Sequence, residues 1–196
     1  GTVWGGEWLV ADPGRFRRHA RLRPVALPGG TAAIREPWRM AVAHALESGV
    51  PGRCIDVPGA ATVEALIRRG MAGARTSSAG RLFDAVAALL GGPTHAAYEG
   101  QAACELEALC ADVGDAPAYP LPVHRRGRLL DLDSRAMIRA VVRDRERGLD
   151  AAWIGARVHE ALAAGIAGAC QAIRERTRLE TVALTGGCFQ NRRLLE

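Results

Sequence analysis

Between about residues 150 and 176 the apolar positions Ile154, Val158, Leu162, Ile166, Cys170 and Ile173 recur every three or four residues, the repeat of one face of an α-helix. A helix of that length commits the chain to a helix-rich architecture packed along it. Gly155, Gly165 and Gly168 lie on the same stretch, where missing side chains let another element approach closely. Earlier segments repeat the pattern. Thr31 is placed to cap a helix carrying Ile34, Trp38, Val42 and Leu46 that ends near Gly49, with Pro51 beyond it. Helices are expected over 62–69, over 78–90 with Leu82, Phe83, Val86, Leu89 and Leu90 on one side, and over 99–113 with Ala102, Leu106, Leu109 and Val113. Ser134 is expected to cap another.

Strands interrupt the helices at three places. Residues 7–11 and 16–22 read as a hairpin around Asp12-Pro13-Gly14. Residues 119–132 read as a second hairpin with Gly127 in its turn. Residues 180–185 read as a final strand, followed by Gly186-Gly187 and the start of a helix. The Pro- and Gly-rich passage 24–30 is the expected linker between the first hairpin and the helices. The opening without Met and the helix begun near the last residue both read as those of a piece of a larger protein.

Composition narrows the function. No apolar run approaches the roughly 18 residues a membrane span needs, and no signal peptide opens the chain, so a cytoplasmic protein without membrane contact is expected. Cys54, Cys104, Cys110, Cys170 and Cys188 include no CxxC pair and the histidines are scattered, which argues against a zinc site or disulfide framework; most of these thiols are expected to be small buried groups. The formal charge is +5 and all 26 basic positions are Arg. Arginine binds phosphate well, but these are dispersed with little aromatic interleaving, so nucleic acid is not the expected partner.

The stretch Val182-Ala183-Leu184-Thr185-Gly186-Gly187-Cys188-Phe189-Gln190-Asn191 is a strand, a glycine pair and a helix start. Glycines there let backbone N–H groups reach an anion, and the helix N-terminus adds favourable partial charge. The same order of elements also makes a plain tight connection, and the residues alone leave both readings open. Cys188, beside the glycine pair, sits where a thiol pKa can be lowered; packing is the other reading.

Residues 185–192, Thr-Gly-Gly-Cys-Phe-Gln-Asn-Arg, resemble the (S/T)GG(V/C)FQN(R) signature of the HypF carbamoyltransferases. Residues 76–91 and 98–107 resemble two further stretches of that family in the same order, as do Thr2-Val3-Trp4-Gly5-Gly6-Glu7 and Arg35-Glu36-Pro37-Trp38-Arg39-Met40. The resemblance spans essentially the whole chain. It implies an α/β fold: a helix-rich fragment of a TsaD-like, two-lobed domain of the actin/Hsp70/sugar-kinase architecture. In those terms residues 1–23 end a first lobe, 24–30 link, and 31–196 form a second lobe incomplete at its C-terminus. It implies an enzyme that uses carbamoyl phosphate and ATP to form a carbamoyl-adenylate. The carbamoyl group then passes to the C-terminal cysteine thiol of HypE, for the cyanide ligands of nickel–iron hydrogenases.

Residue by residue, the resemblance places a phosphate-side loop on Gly5, Gly6 and Glu7, a ribose-binding carboxylate on Asp84, the sugar and base near Glu99 and Gly100, and the rest of the nucleotide pocket on Gly186, Gly187 and Asn191. A carboxylate accepting two hydroxyl hydrogen bonds holds a ribose well. The plainer readings are a solvated Asp84 on an amphipathic helix and a Glu99 favoured by a helix dipole. The family also holds a divalent metal through an HxxxH pair and an Asp-Gly-Gly segment, and neither occurs here; the metal ligands are expected outside this chain. The isolated chain is therefore expected to carry much of the nucleotide-facing wall without completing the reaction. Two alternatives stand beside this: an O-carbamoyltransferase of antibiotic biosynthesis, whose acceptor is a hydroxyl, and a non-catalytic interaction module.

Overall fold

The computed structural model describes residues 1–195. In chain order its elements are β1 (Thr2–Val3), β2 (Glu7–Asp12), β3 (Arg15–Leu22), β4 (Val25–Ala26), α1 (Ala32–Arg35), α2 (Trp38–Glu47), α3 (Ala60–Arg68), β5 (Arg75–Thr76), α4 (Ala79–Leu89), α5 (Gln101–Leu109), β6 (Val123–Arg126), β7 (Leu129–Leu132), α6 (Arg135–Glu146), α7 (Ala151–Thr177) and α8 (Arg192–Leu195). Short 3-10 turns occupy Gly52–Cys54 and Gly187–Gln190.

Both hairpins form where turn chemistry demands them. Asp12 Oδ1 accepts from the N–H groups of Gly14 and Arg15, closing the turn between β2 and β3. Gly127, with φ +62°, closes the turn between β6 and β7. The hairpins then join, because β3 pairs in parallel with β7 to give a four-stranded sheet in the order β2-β3-β7-β6. A second, three-stranded sheet runs β1-β5-β4. The passage 24–30, expected as a linker, therefore carries a strand: Val25, Ala26 and Leu27 are buried.

Helix α4 is the pivot of the molecule. Leu82, Phe83, Val86 and Leu89 give it the apolar face its spacing predicts, but Ala85, Ala87 and Ala88 bury its other side too, and Ala85 packs with Val25, Leu27, Ala33 and Met40. A helix buried all round is an interior helix. Around it stand α2, α5 and α6, with α7 packed across α5 and α6. Asp150 starts α7 by accepting from the N–H groups of Ala152 and Trp153. Two of its three glycines are close contacts: a Cβ at Gly155 would lie 2.6 Å from Cys110 Sγ, and one at Gly165 would lie 2.6 Å from Leu121 Cδ2. Gly168 faces open space, so the close approach expected there does not occur.

Several other expectations are corrected. The helix read from Thr31 is two helices, and Thr31 makes no capping bond. Pro37 disfavours helical geometry at the residue before it, and Glu36 accordingly sits at φ −123°, ψ +79° between α1 and α2. Asp133, not Ser134, accepts the N–H of Arg135 at the start of α6. Leu109, expected on the inner face of α5, is exposed. Residues 180–185 form no strand and pair with none among the described residues, and Val182 and Leu184 are exposed. Of the five cysteines only Cys110 is buried; Cys104 is exposed and the others are intermediate.

Candidate functional site

The loop 5–7 is docked onto the start of α4. The Gly5 carbonyl accepts from the N–H of Ala79, and the Gly6 carbonyl from the N–H of Leu22. A Cβ on Gly6 would lie 2.4 Å from the Ser77 carbonyl oxygen, and one on Gly5 about 3.0 Å from Ser78 Oγ, so the glycines are what permit this approach. Glu7 locks the loop: Oε2 accepts from the N–H groups of Gly5 at 2.6 Å and Gly6 at 2.8 Å. Its Oε1 accepts from Ser77 Oγ and lies 3.6 Å from Arg18. Both glycine N–H groups of the loop expected on the phosphate side are thus already engaged by a carboxylate.

One and a half turns into α4, Asp84 is only 2% exposed, which removes the solvated reading. Its Oδ2 lies 2.8 Å from Arg81 Nη1, yet the two groups are not aligned for a hydrogen bond, and both atoms are buried without a hydrogen-bond partner. Burial pushes the Asp84 carboxyl up to about 6; Arg81 opposes that rise and Glu99 adds to it. Cys188, on the turn Gly187–Gln190, reaches the same place: its Sγ would be 3.9 Å from a Cβ at Gly80. Desolvation raises its thiol pKa, with Arg81 opposing and Asp84 adding. A thiol held protonated is a poor nucleophile, so packing is the reading the geometry favours.

Gly186 has φ +99°, a conformation that requires glycine; both it and Gly187 are exposed. Asn191 is buried and held at both ends of its amide, its Oδ1 accepting from the N–H of Leu194 at 2.9 Å and its Nδ2 donating to His159 Nε2 at 3.1 Å. The turn is fastened further by Arg193, whose guanidinium donates to the carbonyls of Cys110, Val113 and Gly114 and to Glu160. Glu99 is exposed, and Gly100 caps α5 at φ +85°.

The structure therefore gathers Gly5, Gly6, Glu7, Asp84 and the turn after Gly186-Gly187 around the first turns of α4, with Glu99 within electrostatic reach. Sequence reasoning missed four participants. Ser77 and Ser78 lie inside the family-like stretch 76–91, yet nothing in their spacing gives them a role. Arg81 precedes Asp84 by one helical turn, a spacing that marks it as a partner. His159 sits beside the apolar stripe of α7, and nothing local marks it as functional. Among the described residues no three His, Cys, Asp or Glu side chains converge to hold a metal ion, so the implied divalent metal finds no ligand set here. A separate cleft of about 730 Å³ lies between Glu36, Trp38, Arg39, Pro58, Thr62 and His95, and no residue of α4 lines it.

Residues 1–196 match the family described as "Carbamoyltransferase, Kae1-like Domain, second subdomain", which gives the class of domain that this mixed, helix-rich α/β fold represents. The chain is 39% identical over 198 residues to the carbamoyltransferase HypF of Rhodobacter capsulatus, covering 99% of the chain and 25% of that protein. It is 40% identical over 202 residues to a carbamoyltransferase HypF homolog of Cupriavidus necator, covering 97% of the chain and 51% of that protein. A crystal structure of full-length HypF in the phosphate- and nucleotide-bound form superposes with a TM-score of 0.90 at 33% identity, covering 100% of this chain and 31% of that one. The T. kodakarensis HypF structure gives 0.86 at 25% identity, covering 99% and 27%. The chain belongs to the carbamoyltransferase HypF family and spans between a quarter and about half the length of these relatives. None of its described helices is long and apolar enough to cross a membrane.

Proposed function

We propose that this chain supplies one wall of the nucleotide site of a HypF-type carbamoyltransferase. In this reading Asp84 accepts the ribose hydroxyls of ATP, with Arg81 beside it, while the turn from Gly186 to Asn191 closes one side. Glu99 and Gly100 stand toward the sugar and base. The observation that carries this is the Asp84–Arg81 pair. Two buried, oppositely charged atoms left without hydrogen bonds are a costly arrangement, and a ligand offering hydroxyl donors to the carboxylate would relieve it. The pair lies where three family-like segments meet, in a family one of whose solved members is described as phosphate- and nucleotide-bound.

Because Glu7 already occupies the Gly5 and Gly6 N–H groups, we assign the loop 5–7 to bracing α4 rather than to cradling phosphate directly. The overall reaction follows the family: carbamoyl phosphate gives up its phosphate to water, and the carbamate attacks ATP to form a carbamoyl-adenylate with loss of pyrophosphate. The carbamoyl group then moves to the C-terminal cysteine thiol of HypE with release of AMP, in the assembly of hydrogenase cyanide ligands. The nucleophile belongs to the partner, which agrees with a Cys188 held protonated. No step is assigned to a metal through residues of this chain. Calorimetric titration of ATP into the chain and into Asp84→Ala tests the proposal: binding by the former and its loss in the latter are expected. Equal binding by both would refute the role of Asp84.

A further inference from the structure

We propose that His159 is a positioning residue that sets the amide orientation of Asn191, and through it the conformation of the turn following Gly186-Gly187. The functional consequence rests on the nucleotide reading above; the geometry does not.

His159 lies on α7 and is fully buried. Its Nδ1 is 2.8 Å from the Gly155 carbonyl oxygen, and a carbonyl can only accept, so Nδ1 carries the proton. In the neutral ring Nε2 is then an acceptor, and Asn191 Nδ2 donates to it at 3.1 Å. That fixes Asn191 Oδ1 toward the N–H of Leu194, 2.9 Å away, where it caps α8. The opposite amide orientation would set Oδ1 against the imidazole lone pair and the amide NH₂ against the Leu194 N–H, two repulsions in place of two bonds. The imidazole also packs on Phe83 of α4, with ring centroids 5.1 Å apart, and Phe83 is the residue next to Asp84. One buried ring therefore registers the turn against the helix that carries the carboxylate.

Protonation would put a second N–H on Nε2, facing the Asn191 amide donor, and break the latch. The charges acting on the ring are Arg193 from α8, which disfavours protonation, and Glu107 from α5 and Glu160 from α7, which favour it; α4 presents the uncharged Phe83. Desolvation is the largest influence and holds the imidazole below the usual histidine range, so the latch is closed at neutral pH.

Two experiments on the full chain decide this. Side-chain ¹⁵N NMR at pH 7 is expected to show His159 neutral, protonated at Nδ1 with a bare Nε2, and an Asn191 amide protected from exchange. A ring protonated at Nε2 would overturn the proposal, whether or not the protein binds ATP. The second compares ATP affinity in His159→Leu, which keeps bulk without an acceptor, and His159→Gln, which restores one, with thermal midpoints measured alongside. We expect about a tenfold weaker affinity in the Leu variant, the usual scale of one buried hydrogen bond, and recovery to within about twofold of the parent in the Gln variant. Equal affinities in both variants would overturn the positioning role. If the parent chain itself bound no ATP, the nucleotide reading would fail, and His159 would then be judged by its own ring signature in the parent and by the loss of Asn191 amide protection in the Leu variant.

Discussion

Asp84→Asn should make the fold more stable and the protein a poorer nucleotide binder. Burial lifts the Asp84 carboxyl from its ordinary 3.8 to about 6 despite the adjacent Arg81, so above pH 6 the folded state holds a carboxylate that it would prefer protonated. A carboxyl whose pKa rises on folding binds more protons folded than unfolded between those two values. Its contribution is therefore neutral at or below pH 3.8, becomes unfavourable as pH rises, and reaches its full cost above pH 6. A carboxyl displaced that far costs the folded state about 3 kcal/mol, or about 6–12 °C in Tm for a chain of this size. Asparagine mimics the protonated form without the titration. Thermal unfolding of both proteins at pH 4 and pH 8 should show nearly equal midpoints in acid and a higher midpoint for Asp84→Asn in base. A variant less stable than the parent at pH 8 would mean that the Arg81 pair outweighs desolvation, the opposite of the predicted order.

Other outcomes follow from single contacts. His44 is fully buried and burial alone pushes it down to about 4, so stability should fall as pH drops from 6.5 toward 4 by roughly 3 kcal/mol; urea titrations across that range should show the slope much reduced in His44→Leu. Gly155→Ala should cost about 1–3 kcal/mol, because its Cβ would meet Cys110 Sγ at 2.6 Å and Leu106 Cδ1 at 2.9 Å. Gly168→Ala, on the same helix in open space, should be neutral or gain up to about 1 kcal/mol, and paired melts separate the two. Asp150→Ala, which removes the cap of α7, should cost about 1 kcal/mol in a urea titration.

Much of the fold was legible because its signals are local. The Asp12-Pro13-Gly14 turn, Gly127 and the repeat along α7 each predict their element from a few neighbouring residues. Pro37 was also legible, yet the long apolar repeat around it read as one helix where proline makes two. The union of the hairpins through β3 and β7 pairs Ala20 with Leu130, a separation no periodicity reports. The second buried face of α4 escaped because it is built from alanines, which carry little hydrophobic signal. Residues 180–185 alternate like a strand, but a strand needs a partner, and none lies among the described residues.

The site divides along the same line. Asp84, the glycines and Asn191 came from the motif; what each does depends on groups far away in sequence. Glu7 takes the N–H groups of Gly5 and Gly6 because Ser77 and Arg18 hold its other oxygen. Asn191 faces inward because His159 accepts from it across 32 residues. Arg193 fastens the turn to carbonyls about 80 residues earlier. Polar partnerships of this kind have no period and leave no local trace.

If Asp84 grips the ribose of a nucleotide, the protein must distinguish ATP from 2′,3′-dideoxy-ATP through that carboxylate. Calorimetric affinities would be measured for both nucleotides in the parent chain and in Asp84→Ala. Each hydroxyl bonded to a carboxylate contributes about 1.5–3 kcal/mol, so the parent should prefer ATP by at least tenfold, and Asp84→Ala should bind the two nucleotides alike. An ATP preference that survives in Asp84→Ala, or a parent that binds both equally, would contradict the claim.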